Sequence, residues 1–220
     1  MRRRTLATSV AAAVAAIGVP ATAGAAEPPG FVAAGNTLVP FDTGANTAGT
    51  PITTAAGAEA VAVTPDGRTA YVANADGVTL VDVATRAARR TIALGGAPRA
   101  IAVTPDGKTA YVVRDNGVTP IDVASESTGA TIPVSDAQGI AITPDGAKAF
   151  VTSGATVTPI TLPGNVGQPI DVGAAAEGIA ITPDGATAYV ANGGDNTVTP
   201  IDAGSNAVRP AWKYSTDVQT

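Results

Sequence analysis

The sequence contains no cysteine and no histidine. Without these side chains the chain has no thiolate or imidazole ligand for zinc and no His or Cys ligand for a haem iron. It also has no thiol nucleophile and no Ser-His-Asp triad. Disulfides and a lipid-modified cysteine are excluded as well, so no cofactor is expected from the composition.

Large aromatic side chains are scarce too, since the 220 residues include 1 Trp, 4 Tyr and 3 Phe. Alanine, valine and isoleucine supply most of the apolar residues, together with 25 Gly and 17 Pro. This composition favours thin, closely stacked β-sheets over packed helices, because small and β-branched side chains suit pleated surfaces.

Residues 1–25 have the pattern of a signal peptide. Three arginines at 2–4 precede an apolar run over 6–19, and Pro20 leads to small residues that end in Ala23-Gly24-Ala25. The run is shorter than the roughly 20 residues that a transmembrane helix needs, so we expect cleavage after Ala25 and no transmembrane segment in the mature chain. The predicted location is secreted or in the cell envelope, by either the general secretory or the twin-arginine route.

Acidic residues outnumber basic ones. The whole chain carries 13 basic and 18 acidic residues, and removal of the three arginines at 2–4 changes the net charge from −5 to −8. A surface of this sign repels phosphate backbones and anionic lipid, so no nucleic-acid partner is expected.

A Thr-Pro-Asp-Gly motif occurs four times, with spacings of 40, 39 and 39 residues. The copies begin at Thr64, Thr104, Thr143 and Thr182. Alternating apolar runs such as Val61 and Val63 precede each copy, and a run such as 71–74 follows it, which predicts a hairpin of two strands. Proline presets φ, Asp accepts backbone hydrogen bonds and Gly adopts positive φ, so each motif is expected to form the turn.

Further turn signals such as Asp76-Gly77 and Asn116-Gly117 predict a third strand in each unit, and a more variable fourth strand follows. The predicted fold is therefore all-β, a β-propeller of four-stranded antiparallel blades, with about four full blades and one partial blade in an open or incomplete ring. The predicted repeat region is 26–214, with a partial unit at 31–57, full units at 58–96, 97–135, 136–174 and 175–214, and a tail at 215–220.

One aromatic residue recurs at the same position of each unit. The series is Phe31, Tyr71, Tyr111, Phe150 and Tyr189. Repeated aromatics in a fixed register are typical of a packing layer, so these residues are predicted to lie in the core. In the terminal unit, Trp212 and Tyr214 are expected to form an edge strand that caps the array, with an aromatic binding patch and a truncated end as the alternatives.

The repeated Thr-Pro-Asp-Gly-x-x-Ala-Tyr-Val-x-Asn sequence, followed by Val-Thr-x-Ile-Asp and Ile-x-Val-Gly, resembles the YVTN family of β-propeller repeats. The resemblance covers nearly all of the sequence after the predicted signal. It implies a propeller with four-stranded blades of the kind found in secreted, periplasmic and surface-layer proteins. No unit contains Tyr-Val-Thr-Asn itself, and Thr161 replaces the terminal aspartate in one unit.

Prolines at Pro40, Pro120, Pro159 and Pro200 fall inside the third strand of four units. Because proline lacks a backbone donor, we expect the fourth strand beside them to be short or displaced, which leaves an effectively open edge. The missing inner strand of the first unit has no obvious replacement after residue 25.

The motif aspartates Asp66, Asp106, Asp145 and Asp184, and the strand-end aspartates Asp82, Asp122 and Asp202, are expected to hold turns rather than to take part in catalysis. No calcium loop or phosphate-binding glycine loop occurs. The sequence therefore assigns no catalytic, cofactor-binding or metal-binding residue.

The leading functional hypothesis is a non-enzymatic exported module that binds an unidentified protein or cell-envelope ligand, or assembles a surface, and self-associates through open blade edges. A lactonase-like hydrolase or quinoprotein-like dehydrogenase is the enzymatic alternative. A third hypothesis is a fragment of a longer propeller without independent activity.

Overall fold

A computed structural model describes residues 13–15 and 30–214 of the chain. Throughout these residues the protein is all-β, with antiparallel sheets of three to five strands and no helix. Within them, accordingly, no helix has the length and apolarity needed to cross a membrane. The five sheets follow one another along the chain, as the 40-residue period predicts.

The strands of each sheet are consecutive in sequence. Sheet 1 contains β1 (Ala13–Ala15), β2 (Gly30–Asp42), β3 (Thr47–Ala48) and β4 (Ile52–Ala58). The long strand β2 covers the positions of both the second and the third strand of the other sheets. Sheet 2 contains β5 (Ala60–Val63), β6 (Thr69–Asn74), β7 (Gly77–Asp82) and β8 (Ala87–Ile92). Sheet 3 contains β9 (Ala100–Val103), β10 (Thr109–Arg114) and β11 (Gly117–Asp122). Sheet 4 contains β12 (Ala137–Ile142), β13 (Lys148–Ser153), β14 (Thr156–Thr161), β15 (Asn165–Val166) and β16 (Ile170–Asp171). Sheet 5 contains β17 (Ala176–Ile181), β18 (Thr187–Asn192), β19 (Thr197–Asp202) and β20 (Trp212–Lys213).

The core lies between consecutive sheets rather than inside any one of them. Four hydrophobic clusters join sheet 1 to 2, 2 to 3, 3 to 4 and 4 to 5. The predicted aromatic layer is confirmed at four of its five positions, because Phe31, Tyr71, Tyr111 and Phe150 are each at most 3% exposed. Tyr189, in sheet 5, is only half-buried.

The fourth strand is interrupted beside each proline of the third strand, as predicted. In sheet 4 it consists of two short pieces, β15 and β16, and Gly167 N donates to the Pro159 carbonyl between them. Backbone N–H groups of Gly49, Gly129 and Arg209 donate to the other three proline carbonyls in the same way. These bonds correct one part of the expectation, since the edge is broken in two rather than open.

The inner strand that the sequence does not provide after residue 25 comes from the predicted signal segment. Ala13–Ala15 forms β1 and pairs antiparallel with Phe31, Val32 and Ala33 of β2. This pairing places β1 on the same side of β2 that β5 occupies on β6. The rest of the predicted signal segment 1–25 and the predicted tail 215–220 lie outside the described residues.

Because the strands alternate in direction, each sheet presents two kinds of connection at opposite ends. The turn end carries the four Thr-Pro-Asp-Gly turns. The hairpin end carries the connections after the second strands, at residues 75–76, 115–116, 154–155 and 193–196, together with the segments that enter each new sheet. All candidate functional groups lie at one of these two ends.

Candidate functional site

Each Thr-Pro-Asp-Gly turn is held by its own threonine and aspartate. The Thr64 hydroxyl donates to Asp66 Oδ1 at 2.6 Å, and the same oxygen accepts from Arg68 N at 3.0 Å. Thr69 N donates to Thr64 Oγ1 at 3.1 Å, which closes the turn. The same three contacts recur in the turns at Thr104, Thr143 and Thr182. The predicted structural role of these aspartates is confirmed.

These hydrogen bonds also fix the charge of the turn aspartates. The threonine hydroxyl, and then the backbone N–H two residues on, hold the pKa of Asp66, Asp106, Asp145 and Asp184 below the ordinary value. The carboxyl groups are therefore ionised at neutral pH, because both donors favour the charged form. A carboxylate of this kind is a poor general acid.

The strand-end aspartates cap the next turn. Asp202 Oδ1 accepts from Ser205 N at 2.9 Å and from Ser205 Oγ at 2.8 Å, while Oδ2 accepts from Arg209 at 2.9 Å. These partners, with the backbone bond first, lower the pKa of Asp202 from 3.8 to about 2. Asp82 and Asp122 make the equivalent bonds to Thr85 and Ser125, which confirms the predicted capping role.

Successive turns at the turn end enclose a row of open clefts. Each cleft is lined by aspartates from two neighbouring sheets: Asp66 with Asp106 in about 380 Å³, Asp106 with Asp145 in about 260 Å³, and Asp145 with Asp184 in about 250 Å³. Within residues 13–15 and 30–214, no group of three or more acidic side chains is placed to hold a metal ion. The clefts offer charged, solvent-open surface and no deep binding cavity.

Among the described residues, the hairpin end has a more negative net charge than the turn end. Seven exposed acidic residues lie there: Glu59, Asp76, Asp115, Asp136, Asp171, Glu177 and Asp195. The exposed cations among the described residues of this end are Arg99 and Lys213, and Arg114 lies buried beneath it. The turn end, by contrast, contains seven basic residues among its acidic ones: Arg68, Arg86, Arg89, Arg90, Lys108, Lys148 and Arg209.

Arg99 links two sheets at the hairpin end. Its Nε donates to Asp115 Oδ1 at 2.8 Å, and its Nη1 donates to Gln138 Oε1 at 3.2 Å. Arg99 and Asp115 are both exposed, so this ion pair contributes little stability. Within residues 13–15 and 30–214, the other six carboxylates of this end make no ion pair.

Beneath the hairpin end, a buried arginine replaces the asparagine of the repeat. Arg114 is 8% exposed and donates to the hydroxyls of Thr119 and Thr131 and to the Leu94 carbonyl. Asn74 and Asn192 hold this position in sheets 2 and 5 and donate to Thr79 and Thr199. No motif marks these residues in the sequence, although they share one position when the units are aligned on their aromatics. They fasten the second strand to the third and so support the hairpins.

The terminal aromatics form part of an edge strand. Trp212 and Lys213 make up β20, which pairs with β19, and the rings of Trp212 and Tyr189 lie 5.6 Å apart between centroids. Trp212 and Tyr214 are exposed by 56% and 44%. The predicted edge strand is confirmed for Trp212, while Tyr214 follows the strand and donates its backbone N–H to the Asn196 carbonyl at 3.1 Å. Both rings leave apolar surface in solvent.

Comparison with known proteins identifies the arrangement but not the activity. No protein-family model and no curated protein matches the sequence. Among solved structures, the chain is similar to Kuenenia stuttgartiensis hydrazine synthase, with a TM-score of 0.73 and 25% identity over 83% of this chain and 62% of that one. It is also similar to a functionally unknown protein from Desulfotomaculum acetoxidans DSM 771, with a TM-score of 0.69 and 22% identity over 82% of this chain and 63% of that one.

The chain thus spans less than two thirds of either neighbour. In total 1240 chains of solved structures match. An arrangement shared so widely carries many unrelated functions, so neither neighbour transfers an activity.

Proposed function

We propose that the protein is an exported, propeller-type repeat module of the YVTN kind that binds a basic partner through its hairpin end. The support for the architecture is the four-fold repeat, the five consecutive antiparallel sheets and the two solved neighbours. The support for export is the pattern of residues 1–25.

The unequal charge of the two ends is the observation that carries the binding proposal. In the part of the chain that the structure describes, seven exposed carboxylates lie at the hairpin end with two exposed cations and the buried Arg114. The turn-end carboxylates accept hydrogen bonds in turns or pair with arginine, and they lie among seven cations. A surface with a concentrated charge of one sign attracts the opposite sign and raises its rate of association. Lysine-rich or arginine-rich protein segments are the partner class that fits.

The support beneath these carboxylates is rigid, which suits recognition. The buried Arg114, Asn74 and Asn192 hold strands together below the hairpins. Surface groups mounted on a fixed scaffold lose little conformational entropy when a partner binds. The enzymatic alternative has less support, because the carboxylates that lie close together in the clefts are those held in their ionised form by turn hydrogen bonds.

Single neutralising substitutions test which end binds. Glu59→Gln, Asp76→Asn and Glu177→Gln remove one charge each at the hairpin end. Glu126→Gln is the matched control, since it removes one charge at the turn end, where Glu126 pairs with Arg89 and Arg90. The probe is a synthetic lysine-rich peptide, with binding followed by fluorescence anisotropy at low and at physiological salt.

We expect each hairpin-end substitution to weaken binding several-fold at low salt, with less effect at physiological salt because ions screen exposed charges. Glu126→Gln should leave the affinity unchanged. Equal losses for all four variants, or none, would overturn the assignment to the hairpin end. Export is tested separately, by sequencing the N-terminus of protein recovered outside the cytoplasm, which should begin at Ala26.

A further inference from the structure

The same contact is repeated at all four junctions between sheets. The aromatic of each second strand packs on an alanine and a valine of the next second strand, as Phe31 does on Ala70 and Val72. Phe150 packs in the same way on Ala188 and Val190. Each sheet therefore has a donating face, whose aromatic side chain packs on the next sheet. Its opposite side is a receiving face, on which the aromatic of the preceding sheet packs.

Sheet 5 has a donating face that no sheet of the described chain covers. Its aromatic is Tyr189, which is half-buried, whereas the four equivalent aromatics are at most 3% exposed. Trp212 pairs with Val198 as Ile92 pairs with Val78, so a large ring stands where an isoleucine completes the interface of sheet 2. We call Tyr189, Val198 and Trp212 the donor face.

Sheet 1 has the complementary receiving face. Val32 and Phe41 hold the register positions of Val72 and Val81 and are half-buried, whereas those two valines are fully buried. Gly30 stands at the position of Ala70, and a Cβ on Gly30 would come within 2.2 Å of the Phe41 ring. The ring thus lies over the glycine and widens the apolar surface. We call Gly30, Val32 and Phe41 the acceptor face.

We propose that the donor face of one copy of the chain packs on the acceptor face of a second copy, in continuation of the four internal junctions. Within one copy, no core cluster of residues 30–214 joins sheet 5 to sheet 1. The two faces differ and correspond to the two sides of an internal junction, so the contact is heterologous, and repetition gives a ring or an open filament. This inference does not depend on the function proposed for the hairpin end.

One charged substitution on each face separates the two halves of the contact. Tyr189→Asp disables the donor face and keeps the acceptor face, while Val32→Asp does the reverse. Val208→Asp is the control, because Val208 lies in sheet 5, is 46% exposed, and bridges Ile201, whose side chain faces sheet 4. Thermal unfolding of each full-length variant shows whether it still folds.

Sedimentation measures the assembly over a range of concentrations. We expect the mass of the unmodified full chain to rise with concentration to a dimer or larger species, and Val208→Asp to behave in the same way. Tyr189→Asp and Val32→Asp should each remain monomeric. Their equimolar mixture should form a dimer and nothing larger, because it contains one intact donor face and one intact acceptor face.

Trp212 provides an independent readout, since it is the only tryptophan. Its emission should shift to the blue over the same concentration range as the mass increases, as the exposed indole becomes buried. A monomeric unmodified chain, which would mean that other segments of the same chain cover the faces, would overturn the proposal. A mixture that stays monomeric, or association without a change in Trp212 emission, would overturn it equally.

Discussion

Leu80 and Pro120 occupy the same register position in β7 and β11, each opposite the tyrosine of its second strand. Beside Leu80 the fourth strand extends over Ala87–Ile92 with one register shift between Leu80 and Val81, whereas beside Pro120 it is reduced to isolated bridges. The Pro120 carbonyl accepts from Gly129 N on the side of the fourth strand. The N and C=O of one residue point to the same side of a strand, so the missing donor of proline lies on that side and interrupts that strand alone.

Leu80→Pro and Pro120→Leu should therefore have unequal effects on the free energy of unfolding. Leu80→Pro removes a donor toward β8 and a fully buried side chain, and we expect it to lower the free energy of unfolding by about 3 kcal/mol or more. Pro120→Leu adds a donor at an edge, so its effect should be about 1 kcal/mol or less. Urea denaturation of both variants measures the difference, and equal effects would contradict this account of the proline positions.

Gly117 is a second position at which the backbone geometry restricts the residue type, here to glycine. Its φ is +138°, and a Cβ there would lie 2.1 Å from the Ile132 carbonyl oxygen. Gly117→Ala should therefore cost at least about 3 kcal/mol of stability. Gly154→Ala is the matched control, since φ is +57° and no atom lies within 4 Å, and the strain of a positive φ alone costs about 1 kcal/mol. Thermal unfolding that ranks these variants in the opposite order would show that close approach is not the constraint.

The stability lost when a repeated aromatic is replaced by alanine should depend on whether a further sheet covers that aromatic. Phe150→Ala removes a ring that is fully buried between sheets 4 and 5, with an expected loss of about 3 to 5 kcal/mol. Tyr189→Ala, in dilute solution, should cost about half as much, because the ring is half-buried. Chemical denaturation provides both values, and a Tyr189 effect as large as that of Phe150 would imply that another segment covers the donor face.

Acid should weaken the turns in a defined pH range. The pKa of Asp202 is about 2 in the folded chain and has an ordinary value of 3.8. Its contribution to stability is therefore fully present above about pH 4 and is lost as the pH falls toward 2. The thermal midpoint of Asp202→Asn should lie below that of the unmodified chain at pH 7, and the two should converge near pH 2. A difference that is constant with pH would contradict the role of the charge.

The position of β1 links the proposed cleavage of residues 1–25 to exposure of the edge of sheet 1. Under the proposed cleavage after Ala25, the backbone groups of Phe31, Val32 and Ala33 lose their partners in β1. Amide hydrogen exchange at these positions should then be faster in the chain that begins at Ala26 than in the full chain, with exchange in β6 as the internal control. Equal exchange in both chains would show that β1 does not protect this edge.

The sequence predicted those parts of the fold that depend on local chemistry. Thr64 and Asp66 form the expected turn because their hydrogen bonds lie within six residues, and the same holds for Asp202 and Ser205. The aromatic layer was predictable because period and register are visible in the sequence. The break at Pro120 followed from the missing donor alone.

Contacts and shared positions of residues that lie far apart in the sequence were not predictable in the same way. Nothing in the composition of residues 13–15 shows that they pair with Phe31 to Ala33, since alanine and valine strands pair with little specificity. The charge difference between the two ends depends on which connections share an end, so residues as far apart as Glu59 and Asp195 had to be placed in space first. Tyr189 is more exposed than Phe150 because no sheet of the described chain packs on it, and that difference appears only in the packed array.

Packing between nearest neighbours has a consequence for the lifetime of the protein. Within residues 30–214, sheets 2, 3 and 4 each share a core cluster with two neighbours, while sheets 1 and 5 each share one. In such an array, local opening requires least free energy at the termini and propagates inward. Proteolysis should therefore begin at sheet 5 or sheet 1, and any contact that covers those sheets slows degradation of the entire chain.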